Sequence, residues 1–145
     1  MSQQDKQEQL QQLYVQQQMA ESNANALQER IELLQAYMQD YRSGLEVLKK
    51  IEDKDAGEDM LMNIGGNIFV RARLLDAETV IREVGSGVRI EQDAQEAKAS
   101  VEDSLSQLQE RSGSLSAQYE QLVTQAQALN AQIRQMVAQM QQLGE

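Results

Sequence analysis

Residues 60–91 read MLMNIGGNIFVRARLLDAETVIREVGSGVRIE, and this stretch decides the fold. It divides into four short runs of β-forming residues, separated by Gly65-Gly66, by Asp76-Ala77-Glu78 and by Gly85-Ser86-Gly87. Apolar side chains recur at every second position from Ile68 and, with one arginine among them, from Val80, which is the period of a half-buried strand. Tight, glycine-containing turns between such runs are typical of β-hairpins. We therefore predict four short strands that form two hairpins.

Two hairpins provide too few strands to close a sheet on itself. Their outer strands would present unpaired N–H and C=O groups, and proteins cover such edges because they template association. We therefore expect the strands to be completed by other subunits.

Outward from the strands, each end of the chain carries an apolar stripe that advances by three and then four residues for twelve positions. This spacing is that of a coiled-coil seam. The first stripe is Leu10, Leu13, Gln17, Ala20, Ala24, Leu27, Ile31, Leu34, Met38, Tyr41, Leu45 and Leu48. The second is Leu105, Leu108, Ser112, Leu115, Tyr119, Leu122, Ala126, Leu129, Ile133, Met136, Met140 and Leu143. Two equal seams around a different central segment predict that the chain folds back into a long antiparallel coiled-coil hairpin.

The register of this hairpin can be chosen by matching large side chains to small ones, as interdigitated packing requires. Setting Leu48 opposite Leu105 places Ala24 by Leu129 and meets that condition along much of the seam. It also places Gln17 opposite Met136, near the far end.

The chain is thus expected to be one elongated, mainly α structural unit with three segments. Residues 1–52 form the N-terminal coiled-coil helix, which begins near Asp5; residues 53–92 form the β-hairpin assembly region; residues 93–145 form the C-terminal helix, capped by Asp93 with Glu96 three residues on. An acidic loop around Gly57 separates the first two segments, and the sequence contains no proline. The stretch Ser112-Gly113-Ser114 is the weakest helical part of the second helix. Two interpretations are open: the helix bends there, or it stays straight and tolerates the weak stretch.

Composition argues against several classes of partner. The net charge of −10 and the pI near 4.5 disfavour nucleic acid and anionic membrane surfaces, both of which attract cationic proteins. The chain has no apolar run long enough to span a membrane, no signal-peptide core and no cysteine. We expect a cytoplasmic protein.

Catalytic motifs are likewise weak. Histidine and cysteine are absent, and Gly85-Ser86-Gly87 lacks the third glycine of a dinucleotide fingerprint. Asp53, Asp55 and Asp59 resemble the start of a calcium loop only loosely, because Ile64 stands where a bidentate glutamate belongs. We predict no enzyme, no cofactor and no metal site.

Apolar residues that do not belong to the seams collect near the free end of the predicted coil. They are Tyr14, Val15 and Met19 in the first helix, and Val137, close to Met136 and Met140, in the second. One interpretation is that they brace the frayed end of the coil or pack against a neighbouring helix. The other is an adaptable surface for irregular apolar partners, to which flexible methionine side chains are suited.

The hairpin sequences resemble those of a known family. The segment from Ile64 to Ala72 (IGGNIFVRA) is similar to the first hairpin of the alpha class of prefoldin, a co-chaperone, and the segment from Val80 to Val88 (VIREVGSGV) is similar to its second. The order helix, two hairpins, helix extends the resemblance over the whole chain. Beta-class subunits have one hairpin, so four strands favour the alpha class.

The resemblance implies a β-barrel body built from two alpha and four beta subunits, from which six coiled coils extend. It further implies that unfolded polypeptides are held between the coil tips without ATP and delivered to a group II chaperonin. By this resemblance, Tyr14, Val15, Met19, Met136, Val137 and Met140 are candidate client contacts. Candidate assembly residues are Ile68, Val70, Val80, Val84 and Val88.

Two other classes of function remain open. The chain is also consistent with a structural or adaptor coiled coil that docks one defined partner, or with an accessory subunit of an enzyme.

Overall fold

The computed structural model describes residues 2–143, with Leu143 described by its backbone alone. The elements in chain order are α1 (Gln3–Glu52), β1 (Asp59–Gly65), β2 (Ile68–Arg73), β3 (Thr79–Gly85), β4 (Val88–Asp93) and α2 (Ala94–Leu143). The predicted mainly α fold, with two long helices around two β-hairpins, is confirmed. The described residues form two compact units: one contains the residues up to Ala36 and those from Glu110 onward, and the other is Tyr37–Gln109.

The predicted seams carry the core of both units. Each of the twelve positions of the first stripe is at least partly buried, whereas most other side chains of α1 are exposed. The described positions of the second stripe are also shielded from solvent. The most deeply buried seam side chains are Ala20, Ala24, Met38, Leu45, Ser112, Leu129 and Ile133.

The register of the two helices differs from the expected one. With Leu48 opposite Leu105, Glu52 would lie opposite Val101. Glu52 Oε1 instead accepts a hydrogen bond at 3.0 Å from Nε2 of Gln95, six residues earlier in α2. In the other unit, Met136 lines a groove with Leu13, which lies one seam step (four residues) before the expected Gln17. Both differences have the same direction and correspond to a slip of about four to six residues between the two helices.

Both hairpins are antiparallel two-stranded sheets, β1 with β2 and β3 with β4. Their turns consist of Gly66-Asn67 and Ser86-Gly87, and all four residues have positive φ. Two successive positive φ angles define the type I′ turn, whose twist matches that of the flanking strands. The pairing shifts before each turn, so that Ile64 and Val84 are additional residues in β1 and β3. The glycine-punctuated hairpins predicted from the sequence are confirmed.

Side-chain caps define where the two helices begin. Asp5 N–H donates to Ser2 Oγ at 3.1 Å and Ser2 N–H donates to Asp5 Oδ2 at 3.3 Å, a reciprocal capping box. Helix α1 therefore begins two residues earlier than expected. At α2, the backbone N–H of Gln95 donates to Asp93 Oδ1 at 2.9 Å, so Asp93 caps the helix as predicted.

Both helices are uninterrupted and predominantly polar. Helix α2 continues through Ser112-Gly113-Ser114 without a break, with Ser112 buried in the seam. Neither described helix contains a segment that is both long and apolar enough to cross a bilayer.

Candidate functional site

The hairpin β1–β2 has one fully apolar face. Residues directly opposite each other in an antiparallel pair lie on the same face, and here Met60 is opposite Ala72 and Met62 is opposite Val70. Met62 and Val70 are exposed, as is Ile68 next to the turn. The chain therefore presents an apolar surface that it does not cover itself.

The hairpin β3–β4 has a similar but more mixed face. Val80 lies opposite Gln92 and is half-buried, and Arg82 lies opposite Ile90. Val84 and Val88 flank the turn and are both exposed. Of the five residues expected to serve assembly, the structure thus exposes four and half-buries Val80.

The opposite faces of the hairpins hold apolar residues that the sequence reasoning missed. Leu61 and Phe69 are exposed on β1–β2, and Ile81 is exposed on β3–β4. Phe69 and Ile81 occupy the strand positions that alternate with the apolar ones named in the sequence analysis, together with charged residues such as Arg71. The sequence signal for these residues is a large apolar side chain among the alternate strand positions that otherwise carry charged residues. With both faces partly apolar and both edges unpaired, each hairpin has the properties of an interaction surface.

A second candidate surface lies at the start of α1. Tyr14, Val15 and Met19 are all exposed, and Met19 is the most exposed at 60%. Val15 and Met19 are four residues apart and therefore lie on the same face of the helix, whereas Tyr14 points about 100° away from Val15. The structure thus brings two of these three residues together.

The predicted contacts on α2 have a different environment. Met136, Val137 and Met140 are half-buried rather than exposed. Met136 lines a groove with Leu13 and Gln9, on the seam between the two helices. The six expected client contacts are therefore divided into an exposed set on α1 and a half-buried set on α2.

This end of the coil is almost free of charge. No acidic or basic residue occurs from position 9 to 20, and Arg134 is the one charged residue from position 121 to 143. The polar side chains here are mainly glutamine; Gln11, Gln12 and Gln16 line a shallow groove with Val15 and Glu8. A partner bound here would be held by apolar contacts and neutral hydrogen bonds.

Leu33 extends this surface and was not identified from the sequence. It is exposed, and it follows Met19 and Ala26 at intervals of seven residues, so all three share one face of α1. An apolar residue recurring every seven positions outside the seam was the available signal.

In the unit containing the hairpins, one ion pair connects the two helices. Lys98 Nζ donates to Glu52 Oε1 at 2.8 Å, and the same oxygen accepts from Gln95. The bond from Lys98, with that from Gln95, holds the pKa of Glu52 below its usual value, and the bond to Glu52 raises the pKa of Lys98. The pair is only about one quarter exposed on each side chain, which makes it less screened than a fully exposed pair.

The sequence of the chain is similar to those of known proteins of one family. A family model described as "Prefoldin subunit" matches residues 20–143. The prefoldin subunit alpha of Archaeoglobus fulgidus is 31% identical over 93 residues, which cover 64% of this chain and 68% of that protein. The prefoldin subunit alpha of Pyrococcus horikoshii is 33% identical over 104 residues, covering 70% of this chain and 69% of that protein.

A solved structure shares the fold. The chain is similar to a filamentous PFD from Methanocaldococcus jannaschii, determined by cryo-EM, with a TM-score of 0.62 and 22% identity. The likeness covers 79% of this chain and 95% of that chain. Three findings lead to one conclusion: the two hairpins between long helices, the family match over most of the chain, and the relatives named as alpha subunits. The chain belongs to the alpha class of the prefoldin family.

Proposed function

We propose that this chain is a subunit of an ATP-independent chaperone that holds unfolded polypeptides at the ends of its coiled coils. The observation that carries the proposal is the distribution of exposed apolar side chains. The chain buries its seam but leaves two separate apolar surfaces uncovered, one on the hairpins and one near the start of α1.

The hairpins are the proposed assembly surface. Their open edges and apolar faces, including Met62 and Val70, require other strands to cover them. The related protein from M. jannaschii is filamentous, so this fold supports assembly in at least one relative. Here the partners are proposed to be beta-class subunits, in a hexamer of two alpha and four beta chains.

The start of α1 is the proposed client surface. Val15 and Met19 offer exposed apolar area, and apart from Glu8 the groove around Val15 is lined by uncharged glutamines, so binding there rests mainly on apolar contacts. Unfolded chains expose apolar side chains of many shapes, and unbranched methionine adapts to irregular partners. Holding of this kind needs no nucleotide and no catalysis. Release to a group II chaperonin in the cytoplasm completes the proposed role.

A light-scattering assay tests client holding. A denatured model enzyme is diluted from denaturant into buffer containing the chain together with a beta-class partner, and aggregation is followed. The wild-type complex is expected to suppress aggregation at stoichiometric amounts. The variant Val15→Ser, Met19→Ser should need several-fold to about tenfold more complex for the same suppression, because each serine removes one apolar contact.

The matched control is Leu75→Ser. Among the described side chains, Leu75 is the most exposed large apolar one, at 91%, and it lies between β2 and β3, outside the client surface. This variant should suppress aggregation as wild type does. If the wild-type complex fails to suppress aggregation, the holding function is wrong, and an adaptor that docks one defined partner becomes the better explanation. If the double serine variant instead loses its partners in sedimentation, the α1 surface serves assembly.

A further inference from the structure

A groove at the end of β1–β2 remote from its turn concentrates positive charge. Four cationic side chains line it: Lys50 near the end of α1, Lys54 in the loop that follows, and Arg71 and Arg73 in β2. These are four of the 13 lysines and arginines of a chain whose net charge is −10. The groove is therefore opposite in charge to the chain as a whole.

Most of this positive charge is not neutralised within the chain. Of the described residues that line the groove, Asp59 is the one acid, and its Oδ1 accepts a hydrogen bond at 3.0 Å from Nε of Arg73. In the part of the chain that the structure describes, no salt bridge involves Lys50, Lys54 or Arg71. Three cations of the groove are thus available to an anionic partner.

The acidic residues beside the groove direct their carboxylates elsewhere. Glu52 Oε1 binds Nζ of Lys98 at 2.8 Å, and Glu58 Oε2 accepts a hydrogen bond at 3.0 Å from the backbone N–H of Asp55. Asp53 and Asp55 do not line the groove. The groove itself is therefore open to carboxylates from another molecule.

The rest of the lining is apolar. Met60, Leu61 and Ala72 contribute it, and Leu61, directly opposite Arg71 in the strand pairing, is 62% exposed. The groove encloses about 950 Å³, which is at the upper end of the range for ligand pockets and more than a single ion needs. A ligand that matches it carries negative charge and apolar groups together, as an acidic stretch of polypeptide does.

The two arginines also set a spacing. Arg71 and Arg73 are two residues apart in β2, so their side chains leave the same face about 7 Å apart. Carboxylates at alternate positions of an extended peptide have the same separation, because that backbone has the same rise per residue. A planar guanidinium binds a carboxylate through two parallel hydrogen bonds. Since Asp59 engages Arg73 through Nε, the terminal nitrogens of both arginines can take part in such pairs.

We infer that this groove binds an extended acidic segment of a partner protein that is not itself a subunit of the assembly. This role goes beyond the client holding and the assembly proposed above. A short acidic peptide meets the positive groove locally, whereas a long polyanion such as RNA is also repelled by the net charge of −10. The apolar lining likewise favours a peptide over a bare polyphosphate.

Fluorescence anisotropy with a labelled peptide tests this inference in the chain assembled with a beta-class partner. The probe is a short peptide with glutamate at every second position and alanine between, and the comparison peptide has glutamine in place of each glutamate. The assembled complex is expected to bind the acidic peptide at least about tenfold more tightly than the glutamine peptide, because hydrogen bonds to charged groups are the stronger ones.

Two variants remove charge from the groove. Lys54→Gln with Arg71→Gln removes two of the unpaired cations, keeps the pair of Arg73 with Asp59, and should weaken binding of the acidic peptide by about tenfold. Lys50→Gln with Lys54→Gln leaves the strands unchanged and should weaken binding in the same direction. The second variant keeps the test valid even if the substitution in β2 disturbs assembly.

The matched control is Arg111→Gln with Arg134→Gln. Both arginines are exposed on α2 and neither lines the groove, while the change in net charge is the same. This control should bind the acidic peptide as wild type does. Raising the ionic strength from about 0.1 M to 1 M shortens the Debye length from about 10 Å to 3 Å and should weaken binding to the wild-type complex.

Three results would overturn the inference. The first is that the assembled complex does not bind the acidic peptide, and the second is that the groove variants bind it as tightly as the control does. The third is that oligouridylate or inorganic polyphosphate binds as tightly as the peptide, which would make the groove a general anion site. None of these results bears on client holding, which the light-scattering assay tests separately.

Discussion

The coiled coil buries most of its apolar side chains, whereas the hairpins leave most of theirs exposed. Along the coil, apolar side chains such as Ile133 and Met38 are buried within the chain, and the exposed positions are mostly polar. On the hairpins, apolar side chains such as Leu61 and Ile81 remain largely exposed. Two helices suffice to bury a seam between them, whereas a two-stranded sheet has two faces and nothing to place against either. The coil is therefore complete within one chain, and the hairpins require others.

The largest effect of a substitution is expected on the hairpins, which the single chain leaves uncovered. Met62→Asp with Val70→Asp places two charges on the apolar face of β1–β2, which should weaken assembly with a beta-class partner by at least about a hundredfold, because unpaired charges are costly to bury. Light scattering coupled to size-exclusion chromatography measures the mass. Leu33→Asp with Leu75→Asp, which removes exposed apolar area outside the strands, should leave the mass unchanged. If both variants assemble normally, the hairpins are not the assembly surface.

The second-largest effect is expected on the stability of the coiled coil. Ile133 is 4% exposed on the seam, and Ile133→Ala should lower the free energy of unfolding by about 2–4 kcal/mol through lost burial and the cavity left behind. Denaturant unfolding at one fixed protein concentration measures this, since assembly also contributes to stability. Val15→Ala, at an exposed position, should change stability by less than about 0.5 kcal/mol. Equal losses for both variants would contradict the burial difference.

The junction between the two regions is held by smaller interactions. Asp93 ends β4 and accepts the hydrogen bond that begins α2, so Asp93→Ala should destabilise the fold by about 1 kcal/mol. Glu102→Ala, an exposed acidic residue further along α2, is the control and should be nearly neutral. Urea denaturation compares the two. No difference between them would show that the helix start is fixed by the strand pairing alone.

The smallest effect is a pH dependence. Because the pKa of Glu52 is lowered in the folded chain from 4.5, its bond to Lys98 contributes stability that is present above that value and is lost as the pH falls through the lowered pKa. The raised pKa of Lys98 has the opposite sign: its contribution is complete below 10.5 and is lost as the pH rises through the raised value.

Thermal melting against pH measures this dependence in the wild type and in Glu52→Gln. The variant should show a shallower loss of stability on the acid side. Glu46→Gln, at an exposed position of α1, should keep the wild-type profile. Identical profiles for all three proteins would show that the ion pair contributes no pH-dependent stability.

Much of the fold followed from local patterns. The seam positions and strand limits were predictable because heptad and alternating periods are written in neighbouring residues. The turns were predictable because Gly66-Asn67 and Ser86-Gly87 favour the positive φ angles of type I′ turns. Of the residues predicted as client contacts, Val15 and Met19 are exposed, whereas Met136 and Met140 are half-buried because they belong to the seam; the client surface itself stays a prediction.

By itself, the sequence determined the elements and the family: two heptad stripes around four strands, with hairpin segments similar to those of alpha-class prefoldin. Only the tertiary structure decided the register of the helices, because a repeating apolar stripe fits its partner at more than one axial offset. The choice depends on how Glu52 and Gln95 meet beside the hairpins, which no periodicity encodes. The tertiary structure likewise decided which charges share a face with Leu61 and Ile81, since strand pairing joins residues that lie apart in the sequence.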